Sequence, residues 1–120
     1  MYLHLTEEEK KKKIENIIES LKNSIVIVEG KKDKESLMNI GINAITISKA
    51  LSIKEKLSGK IVILTDLDKE GKNLAMLLEQ KLKNEKNKID TETRVKLLLL
   101  LETKYVENVF KSYKKIFSNF

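Results

Sequence analysis

The sequence contains no cysteine, no proline and no tryptophan. The lack of cysteine excludes disulfide bonds, zinc sites built from thiolates and cysteine nucleophiles, and nothing argues for an oxidising compartment. No apolar run approaches the roughly 20 residues that a membrane-spanning helix needs. The early glutamates Glu7, Glu8 and Glu9 also distinguish the amino terminus from a signal peptide. We therefore expect a cytoplasmic protein with no part in a membrane.

Arginine and histidine are scarce, with Arg94 and His4 as the single examples. His4 lies near the chain terminus, where a lone histidine is a poor candidate for catalysis. Lysine and arginine total 24 against 18 aspartates and glutamates, which gives a formal net charge of +6. A positive balance is compatible with a polyanionic partner such as nucleic acid. It does not establish one, because lysine- and glutamate-rich surfaces are also common in hyperthermophile proteins.

The 120 residues are 41% hydrophobic and 35% charged, which is typical of a globular chain with a heavily charged surface. This length suits one domain over residues 1–120 with a substantial core. A Thr-x-x-Glu capping box and apolar residues at helical spacing predict a first helix over residues 6–23. We expect a motif-bearing core over about residues 24–85 and further helices over residues 90–118.

Two runs of apolar residues, 25–28 and 61–64, predict buried strands. Neither run alternates with polar residues, which is typical of parallel strands covered by helices on both faces. A shorter run at 44–47 predicts a third strand. Glu29 precedes Asp66 by 37 positions, which leaves room for a helix, a strand and a return between parallel neighbours. The sequence therefore predicts an α/β fold with a short parallel sheet flanked by helices.

Acidic residues follow both of the strongest strands. Glu29 and Gly30 end the first, and Asp66 and Asp68 end the second. In open α/β sheets this carboxyl edge is where ligands bind. Two aspartates at this spacing can hold Mg²⁺, which binds one or two carboxylates and takes waters and phosphates as its other ligands. The alternative is a solvated acidic turn that caps the following helix.

Basic residues flank these carboxylates and offer a grip for phosphate, because a polyanion can approach acidic groups only where cations offset the repulsion. The lysines predicted to contact nucleic acid are Lys31, Lys32, Lys69 and Lys72. Arg94 is a further candidate, since a guanidinium suits bidentate contact with phosphate. The alternative for Arg94 is an ion pair with a nearby carboxylate such as Asp90 or Glu92.

The segments 26–33 and 63–72 together resemble the Toprim domain. This domain is shared by type IA and type II topoisomerases, bacterial primases, overcoming-lysogenisation-defect nucleases and a bacterial ribonuclease that matures 5S ribosomal RNA. A glutamate-glycine strand end followed at this distance by Asp-x-Asp-x-Glu-Gly is hard to reach by chance. The resemblance implies a Rossmann-like three-layer fold, and the chain is similar to the small stand-alone Toprim proteins of archaea and bacteria.

The resemblance also implies roles for the acidic residues. Glu29 is expected to act as general acid or base, with a pKa raised by the like charges of Asp66 and Asp68. Those two aspartates are expected to hold Mg²⁺, or Mn²⁺ in its place, with Glu70 as a further ligand through water. The implied function is a Mg²⁺-dependent nuclease or phosphotransferase on structured RNA or DNA, most similar to the ribonuclease member. The alternative is a non-catalytic subunit that binds metal and nucleic acid and works with a partner protein.

Two features depart from the pattern of the larger members. The fourth strand usual in Toprim folds is not evident, because residues 83–88 are polar and turn-like and Ile89 after them is its only trace. We also expect no module for a topoisomerase gate or for a primase zinc site. The aromatic residues at helical spacing after residue 104 predict a core face or a surface for a second copy or a partner protein, rather than a base-stacking platform.

Overall fold

The computed structural model describes residues 4–118. Its strands and helices alternate along most of the chain, as a parallel α/β fold requires. In chain order they are α1 (Glu7–Lys22), β1 (Ile25–Val28), α2 (Lys31–Met38), β2 (Ala44–Thr46), α3 (Ile47–Ser52), β3 (Gly59–Ile63), α4 (Lys69–Leu82), β4 (Asn87–Asp90), α5 (Thr93–Leu100) and α6 (Val109–Phe117). Two short 3₁₀ turns lie at Lys54–Lys56 and Val106–Asn108.

The four strands form one parallel sheet in the order β2-β1-β3-β4. Successive residues of β1 and β3 point to opposite faces, so that Val26 and Val62 join one core cluster and Ile27 and Ile63 join the other. Helices α1, α2 and α5 cover the first face, and α3 and α4 cover the second. The predicted three-layer α/β fold is confirmed.

The prediction of an absent fourth strand is wrong. Strand β4 pairs in parallel with β3, with Gly59 opposite Asn87 and Val62 opposite Asp90. The amide of Gly59 also donates to the carbonyl of Lys86 at 2.9 Å. As an edge strand with a single large apolar residue, β4 lacks the hydrophobic run that marked the central strands. β4 forms because its backbone pairs with that of β3.

Helix ends follow local chemistry. Thr6 and Glu9 form the predicted capping box, each side chain accepting a hydrogen bond from the other residue's amide at 3.1 Å. The carboxylate of Asp90 accepts from the amides of Glu92 at 2.8 Å and Thr93 at 2.9 Å, and so opens α5. Between β2 and β3 the chain forms α3, with the side chain of Thr46 as its N-cap, and then a 3₁₀ turn.

The carboxyl-terminal helix packs on the same core face as α1 and α2. Val109 is fully buried, while Tyr113, Ile116 and Phe117 are partly buried against the cluster. The rings of Tyr113 and Phe117 stack with their centroids 4.4 Å apart. Tyr113 and Phe117 therefore serve the core, whereas Tyr105 is 44% exposed and the ring centroid of Phe110 lies 4.6 Å from Nζ of Lys114. Over residues 4–118, no helix combines the length and apolar character that crossing a bilayer requires.

Candidate functional site

Parallel pairing of β1 with β3 brings their acidic ends together. Ile27 lies opposite Ile63, and the amide of Leu64 extends the ladder by donating to the carbonyl of Ile27 at 2.8 Å. Two residues further on, Oε2 of Glu29 accepts a hydrogen bond from the amide of Asp66 at 2.8 Å. The bond links the two acidic motifs directly, and it joins residues that are 37 positions apart.

The amide of Gly30, which follows Glu29 at the start of α2, does not bond to the Glu29 side chain. It donates to Oδ2 of Asp33 at 3.1 Å, so Asp33 rather than Glu29 caps the start of α2. This geometry leaves Glu29 turned across the sheet edge toward the loop after β3.

Each aspartate of the Asp-x-Asp pair accepts a hydrogen bond from a backbone amide. Oδ1 of Asp68 accepts from the amide of Gly71 at 2.7 Å, which makes Asp68 the N-cap of α4. Oδ1 of Asp66 accepts from the amide of Val106 at 2.8 Å, across the chain. Asp66 is half-buried and Asp68 is exposed. Asp68 therefore caps α4, its role as a metal ligand stays a prediction, and the two bonds named here use one oxygen of each carboxylate.

Gly71 brings the start of α4 against the loop. A Cβ atom at this position would lie 2.0 Å from the carbonyl oxygen of Asp66, a distance that no side chain tolerates. The hydroxyl of Thr65 donates to the carbonyl of Gly71 at 2.6 Å. The glycine of the second motif is therefore a packing requirement that holds the acidic loop close to the helix.

Arg94 lies beneath this loop, and its two expected roles are both corrected. Only 6% of Arg94 is exposed, and its Nε and Nη2 donate to the carbonyls of Thr65 and Asp66 at 2.9 and 2.7 Å. A side chain buried in this way does not form a phosphate grip. The pairing expected with Asp90 or Glu92 is replaced by these backbone bonds, and the carboxylate of Asp90 is itself engaged by amides of α5.

Three carboxyl groups at this edge have raised pKa values. Burial raises the pKa of Glu29, of Asp33 and of Asp66, and neighbouring carboxylates raise each pKa further. The direction expected for Glu29 is correct, but burial contributes more than the like charges on which the expectation was based. Arg94 acts the other way and lowers the pKa of Asp66. The carboxylates therefore favour a positive partner at this edge.

Asp33 and Glu107 belong to this acidic edge, although the motifs did not single them out. Asp33 is 8% exposed, and Glu107 adds its charge to those acting on Asp33 and Asp66. The spacing of Asp33 three residues after Gly30 was a usable signal for a helix cap. For Glu107 the sequence held no signal, because it lies far from both motifs.

The donor set suits a hard cation. Carboxylate oxygens are the ligands that Mg²⁺ prefers, and Mg²⁺ is usually held by one or two of them together with water. Within residues 4–118, no group of three or more histidine, aspartate or glutamate side chains is arranged to hold a metal ion as it stands. Residues of this kind would suit an open site, with one or two carboxylates and several waters, better than a closed protein cage.

The remaining predicted site residues lie at the amino-terminal ends of two helices. Glu70 is exposed in the first turn of α4, and its role as a further ligand stays a prediction. Helices α2 and α4 both start at the acidic edge. Four exposed lysines lie in or near their first turns: Lys31, Lys32, Lys69 and Lys72.

A parallel sheet that joins a glutamate at one strand end to an Asp-x-Asp pair at the next defines a Toprim-like α/β protein. Residues 24–100 match the sequence model of the Toprim domain, and the chain therefore belongs to the Toprim domain family. The resemblance seen in the two motifs is confirmed. Membership indicates a metal-binding function related to nucleic acid, and Toprim domains generally bind Mg²⁺.

Several archaeal proteins are similar over most of the chain. A UPF0292 protein of Thermococcus onnurineus is 31% identical over 117 residues, covering 89% of this chain and 88% of its own. A UPF0292 protein of Pyrococcus horikoshii is 34% identical over 117 residues, covering 88% and 87%. A solved structure, described as a putative protein from Aquifex aeolicus, has a TM-score of 0.65 at 23% identity and covers 78% of this chain and 95% of its own. That structure supports the fold alone.

Proposed function

We propose that the protein is a Mg²⁺-dependent nuclease or phosphotransferase that acts on nucleic acid, most similar in chemistry to the small ribonuclease of the Toprim family. The observation that carries the proposal is the 2.8 Å hydrogen bond from the amide of Asp66 to Oε2 of Glu29. It holds a carboxyl group with a raised pKa directly beside the Asp-x-Asp pair. We further propose that the protein works in the cytoplasm, in keeping with its lack of cysteine.

In this proposal Asp66 and Asp68 hold Mg²⁺, or Mn²⁺ in its place, and Glu70 contributes through water. The bound cation supplies stabilisation of the negative charge that develops on phosphoryl oxygens during phosphodiester cleavage or formation. The other work falls to the chain's own residues. Arg94 donates hydrogen bonds to two carbonyls of the acidic loop, and backbone amides donate hydrogen bonds to both aspartates. These bonds hold the loop and its carboxylates in one arrangement, which limits the reorganisation needed during reaction.

Glu29 is the proton carrier of the proposed mechanism. Its Oε2 is held by the Asp66 amide, so the proton is exchanged at Oε1. Burial shifts the pKa of Glu29 upward, toward the pH range in which a group can both accept and release a proton. It acts in one of two ways: as the base that takes the proton of the attacking hydroxyl, or as the acid that protonates the leaving oxygen. The exposed lysines at the starts of α2 and α4 hold the flanking phosphates.

A second function remains open, because two observations favour it. The single arginine is buried and unavailable to a substrate, which leaves lysines as the grip. Among the described residues, no three-ligand metal group is preformed. Both suit a non-catalytic subunit that binds metal and nucleic acid and depends on a partner protein or a second copy, docked through the carboxyl-terminal helices.

The experiment that separates the two is a single-turnover assay of the parent and of Glu29→Gln with saturating Mg²⁺ or Mn²⁺. Structured RNA, single-stranded DNA and supercoiled plasmid serve as substrates. Glutamine keeps an acceptor for the Asp66 amide but cannot exchange the proton, so cleavage should fall by about 10²- to 10⁴-fold. Glu55→Gln, an exposed glutamate in the 3₁₀ turn after α3, is the matched control and should cleave like the parent.

Undiminished cleavage by Glu29→Gln would remove Glu29 from the mechanism. No cleavage of any substrate by the parent, with metal binding intact, would favour the non-catalytic subunit.

A further inference from the structure

The segment 103–110 lies beyond the residues matched to the Toprim domain, and yet it contacts the acidic loop at two adjacent positions. The amide of Leu67 donates to the carbonyl of Lys104 at 2.7 Å. The amide of Val106 donates to Oδ1 of Asp66 at 2.8 Å. One backbone bond and one side-chain bond therefore tie the Asp-x-Asp loop to a part of the chain outside the family match at residues 24–100.

This segment is firmly docked. Val106 and Val109 are both fully buried in the core cluster that includes Leu37 of α2. The amide of Phe110 donates to the hydroxyl of Ser36 on α2 at 2.9 Å. The Val106 amide is consequently presented to Asp66 from an element that is also packed against α2.

The two aspartates are thus oriented by different parts of the chain. Asp68 is held by the first turn of its own helix through Gly71, within the family match. Asp66 is held by Val106, from outside it. A hydrogen bond to a ligating carboxylate fixes which oxygen faces the metal, and loss of such a partner typically weakens metal binding about 10- to 100-fold.

We propose that the segment 103–110 is a positioning element of the cation site, with the backbone N–H of Val106 holding Oδ1 of Asp66 so that Oδ2 is left for the cation. The inference rests on the proposed metal site and adds a residue that neither motif contains. A cation on Oδ2 would hold Asp66 in the orientation that accepts the Val106 amide, just as the amide holds Asp66 in the orientation that meets the cation. Cation binding and docking of the segment are then linked, and each favours the other by the same factor.

The test compares Val106→Pro with Val106→Ala. Both variants lose buried volume, but only proline removes the N–H. Proline suits this position because Val106 is the first residue of a 3₁₀ turn, and Tyr105 before it is extended at φ −118° and ψ 127°. Mn²⁺ affinity is measured by calorimetry or paramagnetic titration on protein whose fold is checked by circular dichroism. Val106→Pro should bind Mn²⁺ about 10- to 100-fold more weakly than Val106→Ala.

Equal Mn²⁺ affinity in the two variants would overturn the positioning role while leaving the metal site intact. If the parent itself does not bind Mn²⁺, the proposed function fails and this inference fails with it. If Val106→Pro does not fold, hydrogen exchange of the Val106 amide in the parent decides. Saturating Mg²⁺ should slow that exchange by about the same factor, and an unchanged rate would contradict the linkage.

Discussion

Arg94 places a buried positive charge next to three carboxylates. Its guanidinium carries two bonds to the acidic loop, and the charges of Asp68, Glu29 and Asp66 oppose the lowering of its pKa by burial. The arrangement offsets part of the repulsion among the carboxylates without presenting the cation to solvent. Burial, with the neighbouring carboxylates, still raises the pKa values of Glu29 and Asp66, and a bound cation would lower them.

Asp33 provides the clearest pH dependence at the residue scale. Its pKa is raised above the ordinary 3.8, chiefly by burial, so the folded state favours the protonated form. The stability it contributes is present below its ordinary pKa and is lost as pH rises through the raised one. Asp33→Asn keeps an acceptor for the Gly30 amide and should raise the free energy of unfolding near neutral pH by about 0.5–2 kcal/mol. Urea denaturation from pH 4 to pH 8, without metal, measures it.

Asp90→Asn is the matched control, because it has the opposite sign. Hydrogen bonds from Thr93 and Glu92 outweigh burial and lower the pKa of Asp90, so its contribution is present above 3.8 and is lost as pH falls through the lowered pKa. Asparagine there should destabilise the protein at neutral pH. A loss of stability in Asp33→Asn near neutral pH would contradict this prediction. It would show that neighbouring groups stabilise the ionised carboxylate of Asp33 in the folded state.

Among the strands, the two at the centre of the sheet could be predicted from the sequence, because burial on both faces requires a continuous apolar run. β1 and β3 are continuous apolar runs, and the residues after them could be placed on one edge because parallel strands end together. β4 could not be found, since an edge strand with one large apolar residue depends on backbone pairing with β3. The contacts of Arg94 and Val106 were equally out of reach, because both are made to backbone or carboxyl groups more than 25 positions away.

At the scale of the whole molecule, the net charge of +6 is carried mainly by exposed lysines, so their placement decides where a polyanion binds. Lys69 and Lys72 lie in the first turn of α4 at the acidic edge, whereas Lys81 and Lys83 lie at its far end. Replacing Lys69 and Lys72 with glutamine should lower the slope of log K against log salt for RNA or DNA binding by roughly 2.

Lys81→Gln with Lys83→Gln removes the same charge and is the control. Its slope should stay close to that of the parent. Equal changes in the two double variants would mean that net charge, and not the acidic edge, governs binding.

A Mn²⁺ titration followed by paramagnetic NMR tests whether Asp66 and Asp68 hold a divalent cation at the sheet edge. The comparison is between the parent and the double variant Asp66→Asn with Asp68→Asn. Asparagine retains an oxygen for the amides of Val106 and Gly71, so the fold should persist while the charge is lost. Resonances of residues 29 and 66–71 should broaden saturably in the parent. In the double variant this broadening should be lost. Identical broadening in both proteins would contradict the cation site.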